Sequence, residues 1–326
     1  MSKLVTIFGG SGFVGRYIAR RMAQNGWRVR VAVRNTNEAM FVRTYGAVGQ
    51  VEPVFCNIRD DASVAAVTQG ADAVVNCVGV LAELRKNTFA AVQAEGATRI
   101  ARVAAAMGVA RMVQLSAIGA SDTSASAYAR TKAAGEQGVL DHMPDAMILR
   151  PSIIFGAEDQ FFNRFAGMTR LGPVLPVIGA DTRFQPVYVD DVAAAAVMGV
   201  LGEVPGGIYE LGGPDVATFR ELMQTMLAVV RRRRMILNMP FWAARIMAGG
   251  FNILRVVSLG LVTPPVTRDQ VANLAVDNVV SDGAKGFADL GITPTAMMAV
   301  LPDYLWRFRP SGQYDAIKES AKNLRP

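Results

Sequence analysis

Short apolar, β-branched runs alternate with alanine-rich stretches through the first 150 residues. The apolar runs fall near residues 3–8, 28–33, 51–56, 73–78, 111–115 and 146–150. Between them, residues 12–25, 62–69, 88–107 and 127–142 have helical composition, and each ends near a glycine, a proline or a polar residue. Strand-length runs separated by helix-length runs predict crossovers between parallel strands, hence an α/β chain with a doubly wound parallel sheet of six strands. After Arg150-Pro151 the rhythm loosens into connections such as Leu171-Gly172-Pro173 and Val204-Pro205-Gly206-Gly207. This predicts a smaller C-terminal α/β domain laid over the strand ends. The expected division is 1–150 plus about 182–212 for the sheet domain, and 151–181 plus 213–326 for the smaller one. No internal repeat or low-complexity tract interrupts it, and 310–326 reads as a polar tail.

Composition narrows the function classes. A chain of 326 residues buries enough core to need no disulfides. Its two cysteines, Cys56 and Cys77, sit in apolar runs, so buried thiols and a reducing compartment are expected. The single histidine, His142, excludes a histidine-rich metal site and argues against a Ser-His-Asp relay, and no metal is expected. The chain enters its first strand at once through Lys3-Leu4-Val5-Thr6-Ile7-Phe8, leaving no room for a signal or transit peptide and favouring a bacterial protein. Mean hydropathy is +0.25, yet no uncharged apolar stretch reaches the roughly 18 residues that span a bilayer. The net charge of +7 is local. From Arg231 to Arg268 there are seven arginines with no lysine and no acid, so the remaining 27 basic and 27 acidic residues cancel. A confined charge of this kind favours a docking surface over nucleic acid.

The candidate chemistry begins at Gly9-Gly10-Ser11-Gly12-Phe13-Val14-Gly15, between the first strand and its helix. The segment fits G-x-G-x-x-G from Gly10 and G-x-x-G-x-x-G from Gly9. Glycines there let backbone N–H groups and a helix N-terminus approach a pyrophosphate, so the expected fold is Rossmann and the expected ligand a dinucleotide. NAD sites place an acid at the end of the second strand to hold the ribose hydroxyls. Here Arg34 stands in that place, no acid occurs from Arg28 to Asn37, and Arg16 follows the loop. Two guanidiniums flanking a 2′-phosphate favour NADP(H), the plainer alternative being that Arg34 is an ordinary solvated strand-end residue.

Tyr128 and Lys132 stand four residues apart on the predicted fourth crossover helix, hence on one face. A nearby ammonium stabilises a phenolate and draws a tyrosine into useful acid–base range. Ser116, closing the fifth strand, is placed to hydrogen-bond a substrate oxygen. By spacing alone, Tyr-x-x-x-Lys is also an ordinary helix-surface pair.

With the glycine loop, Ser116, Tyr128 and Lys132 in this order, the chain resembles the short-chain dehydrogenase/reductase superfamily in its extended, epimerase-like branch, over nearly all of the first 215 residues. Asn57-Ile58 after the third strand, where the adenine would lie, is similar to that branch. So are Asn76-Cys77-Val78-Gly79 after the fourth and Arg150-Pro151-Ser152, with Ile153 following, after the sixth. Residues 186–192 and 209–213 match its later landmarks. More narrowly, residues 154–166 and Pro302-Asp303-Tyr304-Leu305-Trp306-Arg307 resemble an atypical subgroup that includes the nucleotide-binding accessory subunit of respiratory complex I (NADH:ubiquinone oxidoreductase). That resemblance implies a bound NADP(H) that is mainly structural, other complex I subunits as partners, and a peripheral place on the cytoplasmic face of a bacterial inner membrane. Where active extended members carry Asn-x-x-Gly-Thr, this chain has Gln93-Ala94-Glu95-Gly96-Ala97, so idle catalytic residues are implied. The alternatives are a free NADP(H)-dependent reductase or epimerase-like enzyme and a nucleotide-dependent redox sensor.

The arginine-rich segment supplies a further expectation. Arg231-Arg232-Arg233-Arg234 precedes an apolar stretch from Met235 to Val262 with Phe241, Trp242 and Phe251; on a helix, Arg245, Asn252 and Arg255 form one polar stripe. Such a segment suits an anionic membrane surface. The alternative is a cap over a substrate pocket, and nucleic acid is not an expected partner.

Overall fold

The computed structural model describes residues 2–83, 86–257, 267–310 and 312–314, with the backbone alone for 251–257 and 313. The chain forms two compact units. The first takes residues up to Ser152, then Val189–Gly212 and Val280–Pro294; the second takes Ile153–Tyr188, Gly213–Val279 and the residues from Thr295 on. The expected boundaries differ from this division at three places: Pro151 and Ser152 stay with the first unit, residues 182–188 belong to the second, and residues 280–294 return to the first. The return has a visible cause in backbone pairing, since the N–H of Glu210 donates to the carbonyl of Lys285 at 2.8 Å.

In the first unit the strands are β1 (Leu4–Phe8), β2 (Arg28–Val33), β3 (Val51–Phe55), β4 (Ala73–Asn76), β5 (Arg111–Leu115) and β6 (Met147–Pro151). A seventh, Gly207–Leu211, joins them. The sheet runs Gly207–Leu211, β6, β5, β4, β1, β2, β3, all parallel. The seventh strand is the one that alternation over the first 150 residues could not count. Strand β1 lies between β2 and β4 and buries Val5, Thr6, Ile7 and Phe8 completely, which is why it reads as a continuous apolar run. Its one polar side chain, Thr6, donates to the Val67 carbonyl at 2.8 Å. Pro53, which cannot donate to a ladder, is accommodated because β3 is an edge strand.

The crossovers are α1 (Phe13–Gln24), α2 (Asp61–Thr68), α3 (Glu95–Ala106) and α4 (Ala127–His142). Helix α1 buries Val14, Ile18, Ala19 and Met22 on one stripe, and Arg21 forks onto Asp190 of the helix Val189–Leu201 with both bonds at 2.7 Å. The stretch expected as one helix from 88 to 107 begins instead with a π-turn at Ala90–Ala94 before α3. Helix α4 opens on Ser126, whose hydroxyl accepts from the Ala129 N–H. Its buried stripe is Ala129, Lys132, Glu136 and Val139, two of them charged.

In the second unit three two-stranded pairings support a core of Phe155, Phe162, Leu175, Phe184, Phe219, Leu222, Met223 and Met226. The strand Val174–Ile178 pairs in parallel with Met235–Met239. This corrects the reading of the arginine-rich segment as one helix: Met235–Met239 is a strand, and the helix is Phe241–Val257. The stripe expected at Asn252 and Arg255 falls where side chains are not described, residues 258–266 lie outside the described residues, and most of the tail does too.

Candidate functional site

The glycine loop is built by backbone geometry. Gly9 takes φ +73°, a conformation in which a Cβ is strained, and its N–H donates to the Ala32 carbonyl on β2 at 2.9 Å. Gly12 folds back onto the Gly9 carbonyl at 2.9 Å and becomes the N-cap of α1. A Cβ at Gly15 would stand 2.4 Å from the Gly9 oxygen and 2.7 Å from the Gly10 Cα, so only glycine lets the helix start this close to the strand. No side chain caps α1 and no acid lies in its first turn. Its terminal N–H groups and dipole therefore suit an anion, and the Ser11, Phe13 and Val14 positions complete a cradle that fits a pyrophosphate.

Arg34 directly follows β2 and is exposed. Arg16 turns back onto the loop itself: its Nε donates to the Gly12 carbonyl at 3.2 Å and an NH2 to the Ser11 carbonyl at 3.1 Å, with the guanidinium 4.8 Å above the Phe41 ring. It stiffens the loop as well as lending it charge. Asn57 and Ile58 follow β3, half-buried; the Asn57 N–H donates to the Ser63 hydroxyl at 2.9 Å. Cys77, Val78 and Gly79 follow β4, and Val78 packs against Gly9, where a Cβ would meet its methyl at 3.2 Å. Both cysteines are free thiols, Cys56 buried and Cys77 half-buried. His142 is exposed in the last turn of α4. Pro151 and Ser152 are buried at the end of β6, and Ile153 begins the second unit, half-buried.

Tyr128 and Lys132 do share a face of α4. The Lys132 Nζ lies 5.9 Å from the Tyr128 ring centre, and the ring stands edge-on to Phe89 at 5.8 Å. Lys132 is 7% exposed and donates to the Leu115 carbonyl at 3.1 Å. Burial lowers its pKa to about 8, against the opposing pull of Glu136. A Cβ at Gly79 would lie 3.5 Å from that ammonium, which puts the end of β4 beside it.

Ser116 is tied to the helix beside it. Its hydroxyl donates to Glu136 Oε1 in a short hydrogen bond. The Arg150 guanidinium holds both Glu136 oxygens, with NH2 to Oε2 at 2.5 Å and Nε to Oε1 at 3.0 Å. Arg150 also faces Glu210 at 3.6 Å, its register partner on the neighbouring strand, and Glu210 accepts from the Ser281 N–H. Glu136 thus draws the Ser116 hydroxyl into an internal ionic network. The sequence carried the signal, since residues 128, 132 and 136 repeat at four-residue steps on one helix face, but Glu136 reads as a surface residue until β6 is placed against it. Gln93 is buried in the π-turn, donates to the Val80 carbonyl at 2.7 Å and accepts from Thr131 at 2.9 Å. It occupies its site as a structural bridge.

In the second unit the two segments that resemble the atypical subgroup meet. Tyr304 donates to the buried Asp159, and Arg307 reaches the Ala157 carbonyl at 3.2 Å and Asn163 Oδ1 at 2.6 Å. Burial raises the pKa of both Asp159 and Tyr304.

Fold and loop together define a Rossmann protein of the extended short-chain dehydrogenase/reductase type. Residues 5–212 match the NAD dependent epimerase/dehydratase family, and the chain belongs to it. Within that family it is 36% identical over 316 residues to the NADH dehydrogenase (ubiquinone) 1 alpha subcomplex subunit 9, mitochondrial, of Arabidopsis thaliana, covering 95% of this chain and 79% of that one. It is 29% identical to the NADH-ubiquinone oxidoreductase 40 kDa subunit, mitochondrial, of Neurospora crassa, over 98% of this chain and 83% of that one. It is 31% identical to the ceramide reductase of Caulobacter vibrioides, over 73% of this chain and 74% of that one. A dTDP-glucose 4,6-dehydratase from Streptomyces venezuelae, solved with NAD bound, has the same fold, with a TM-score of 0.69, 19% identity and coverage of 96% and 99%. Relatives named as respiratory subunits and a relative named as an enzyme are thus both similar to this chain in sequence, and enzymatic activity is not established for it. Among the described residues no helix is long and apolar enough to cross a membrane.

Proposed function

We propose that the chain is an NADP(H)-binding accessory subunit of a bacterial NADH–ubiquinone oxidoreductase, retaining its nucleotide as a structural element of the assembly. The observation that carries this reading is the commitment of Ser116 to Glu136. The residue that would hold a substrate oxygen spends its hydroxyl inside the fold, while the pyrophosphate cradle stays intact. A protein that binds a dinucleotide tightly without turning it over gains stability from it by mass action. The likeness to the Arabidopsis thaliana and Neurospora crassa subunits supports this reading, in which the other subunits of the complex are the partners. Arg34 would meet the 2′-phosphate, Asn57 and Ile58 the adenine, and residues 77–79 and 151–153 the far half of the dinucleotide. When bound, NADP(H) supplies a hydride-transfer couple that the internal serine leaves unused.

Docking on the cytoplasmic face of the inner membrane is part of the same reading. On the helix Phe241–Val257, Ala244 and Ala248 are buried, whereas Trp242 and Ile246 are 67% and 68% exposed beside the exposed Arg245. Aromatic and aliphatic side chains next to a guanidinium suit the boundary between headgroups and acyl chains.

A second reading, a free reductase, is favoured by one observation: Lys132 holds an amine poised near neutral pH beside Tyr128. In that case NADPH would deliver hydride to a substrate carbonyl carbon and Tyr128 the proton to its oxygen. A native gel of gently solubilised membranes with mass spectrometry separates the two. Migration with the respiratory complex is the expected result; a free soluble band that oxidises NADPH with a carbonyl substrate would overturn it.

A further inference from the structure

The second unit contains a concavity of about 530 Å³ lined by Arg220, Arg232, Arg233 and Arg234 together with Gln224, Leu227, Met235 and Ile236. Its arginines come from a helix and the turn that follows it, and the strand Met235–Met239 adds Met235 and Ile236. The helix Phe219–Val229 contributes Arg220, Gln224 and Leu227, spaced four and three residues apart and so on one stripe. The turn after that helix contributes the three consecutive arginines.

Four guanidiniums around one cavity repel one another, and among the described residues none of the four has a carboxylate within ion-pair distance. The repulsion registers at Arg232, whose pKa is lowered first by burial and then by Arg234 and Arg170. The fold nevertheless fixes these groups. Arg232 Nε donates to the Phe308 carbonyl at 2.8 Å, and Arg234 Nε to the Thr169 carbonyl at 2.8 Å, partners that orient a guanidinium without neutralising it. The turn itself breaks a local rule. The Arg232 N–H returns to the Leu227 carbonyl and the Arg231 N–H to the Ala228 carbonyl, a helix ending that ordinarily has glycine at the position taken by Arg231. Arg231 takes φ +54°, where no other non-glycine of the described residues has a positive φ. Strain and unneutralised charge held in one place are what a site pre-formed for a counter-charge looks like.

We infer that this cavity binds a ligand carrying two phosphate groups, each taken in the fork of paired guanidiniums. Arginine presents parallel N–H donors that match phosphate oxygens. A cavity of this volume exceeds a single phosphate. Leu227, Met235 and Ile236 add an apolar wall, so the same diphosphate chemistry could arrive as a soluble ligand or as the headgroup of an anionic lipid. The inference depends on neither the dinucleotide nor the respiratory-complex reading.

The test uses the full chain saturated with NADPH, so that the glycine loop is filled, titrated with inorganic pyrophosphate by calorimetry. One pyrophosphate per chain is expected, with affinity falling as salt rises. R220Q/R233Q should weaken it at least tenfold while leaving the melting temperature and bound NADPH unchanged. Because R232 and R234 also hold backbone carbonyls, the single variants R233Q and R220K provide a check free of folding effects, each expected to weaken binding less than the double. In a second arm, phosphatidylcholine vesicles with and without cardiolipin are sedimented with the protein. Binding that needs cardiolipin, is competed by pyrophosphate and is lost in R220Q/R233Q identifies a lipid headgroup; pyrophosphate binding without vesicle binding identifies a soluble ligand. Absence of binding to both probes, or binding undiminished in the double variant, overturns the inference.

Discussion

Replacing Lys132 with methionine should change how the stability of the first unit depends on pH. Lys132 is 7% exposed, and burial brings its pKa from the usual 10.5 to about 8. Below pH 8 both folded and unfolded chains hold the proton, and the folded state carries the full cost of a buried ammonium. Between pH 8 and 10.5 the unfolded chain still holds the proton while the folded chain has released it, so stability rises with pH across that window. The difference of 10.5 and about 8, multiplied by 1.36 kcal/mol per unit, gives roughly 3 kcal/mol. Lys132→Met lacks this term, so wild type should gain about 3 kcal/mol relative to the variant between pH 7.5 and 10.5, whatever their order at pH 7. The assay is urea unfolding of nucleotide-free protein, read from Trp27, which is buried in the first unit and lies 5.4 Å beneath Lys3. Trp242 and Trp306 are changed to phenylalanine in both proteins so that only the first unit reports. A wild-type minus variant difference that stays flat, or falls with rising pH, would refute the buried-ammonium account and with it the idea that this amine is poised near neutrality.

Three further outcomes follow from the geometry. Gly15→Ala forces a methyl to 2.4 Å from the Gly9 oxygen, so the protein should purify without its dinucleotide; nucleotide released on denaturation and counted by absorbance checks this, and full retention would remove the loop from the site. Arg34→Asp should weaken NADP(H) retention tenfold or more, about 1.4 kcal/mol, and shift preference toward NAD(H); NADP(H) retention unchanged from wild type would make Arg34 a bystander. Arg150→Met leaves Glu136, whose side chain is 5% exposed, without its guanidinium, and should cost about 3–5 kcal/mol of unfolding free energy. A denaturation midpoint within error of wild type would show that Glu136 is neutralised some other way.

The pattern of apolar runs located the first six strands and four crossovers because strands buried on both faces must be continuously apolar and their helices must present one apolar stripe. The glycine loop was legible for a related reason. A helix that starts at Gly12, with Gly15 against Gly9, tolerates no Cβ, so the geometry leaves a mark in residue type. Helical spacing placed Tyr128 and Lys132 on one face of α4, and there the Lys132 Nζ lies 5.9 Å from the Tyr128 ring centre. What chain order could not reveal is what lies across from each residue. The seventh strand is Gly207–Leu211, separated from β6 by the whole first stretch of the second unit, and only pairing joins them. Nothing in the spacing along α4 announces that Glu136 meets Arg150 of β6 and accepts from the Ser116 hydroxyl at the end of β5; those contacts exist only once the strands are set against the helix. Met235–Met239 became a strand because Val174–Ile178 offered a partner, overriding an apolar composition that also suits a helix. Tyr304 and Asp159, 145 residues apart, formed one buried contact. Local steric and periodic constraints are written in the sequence because each residue must satisfy them where it stands; hydrogen bonds and ion pairs between distant segments are decided only when folding chooses which faces meet.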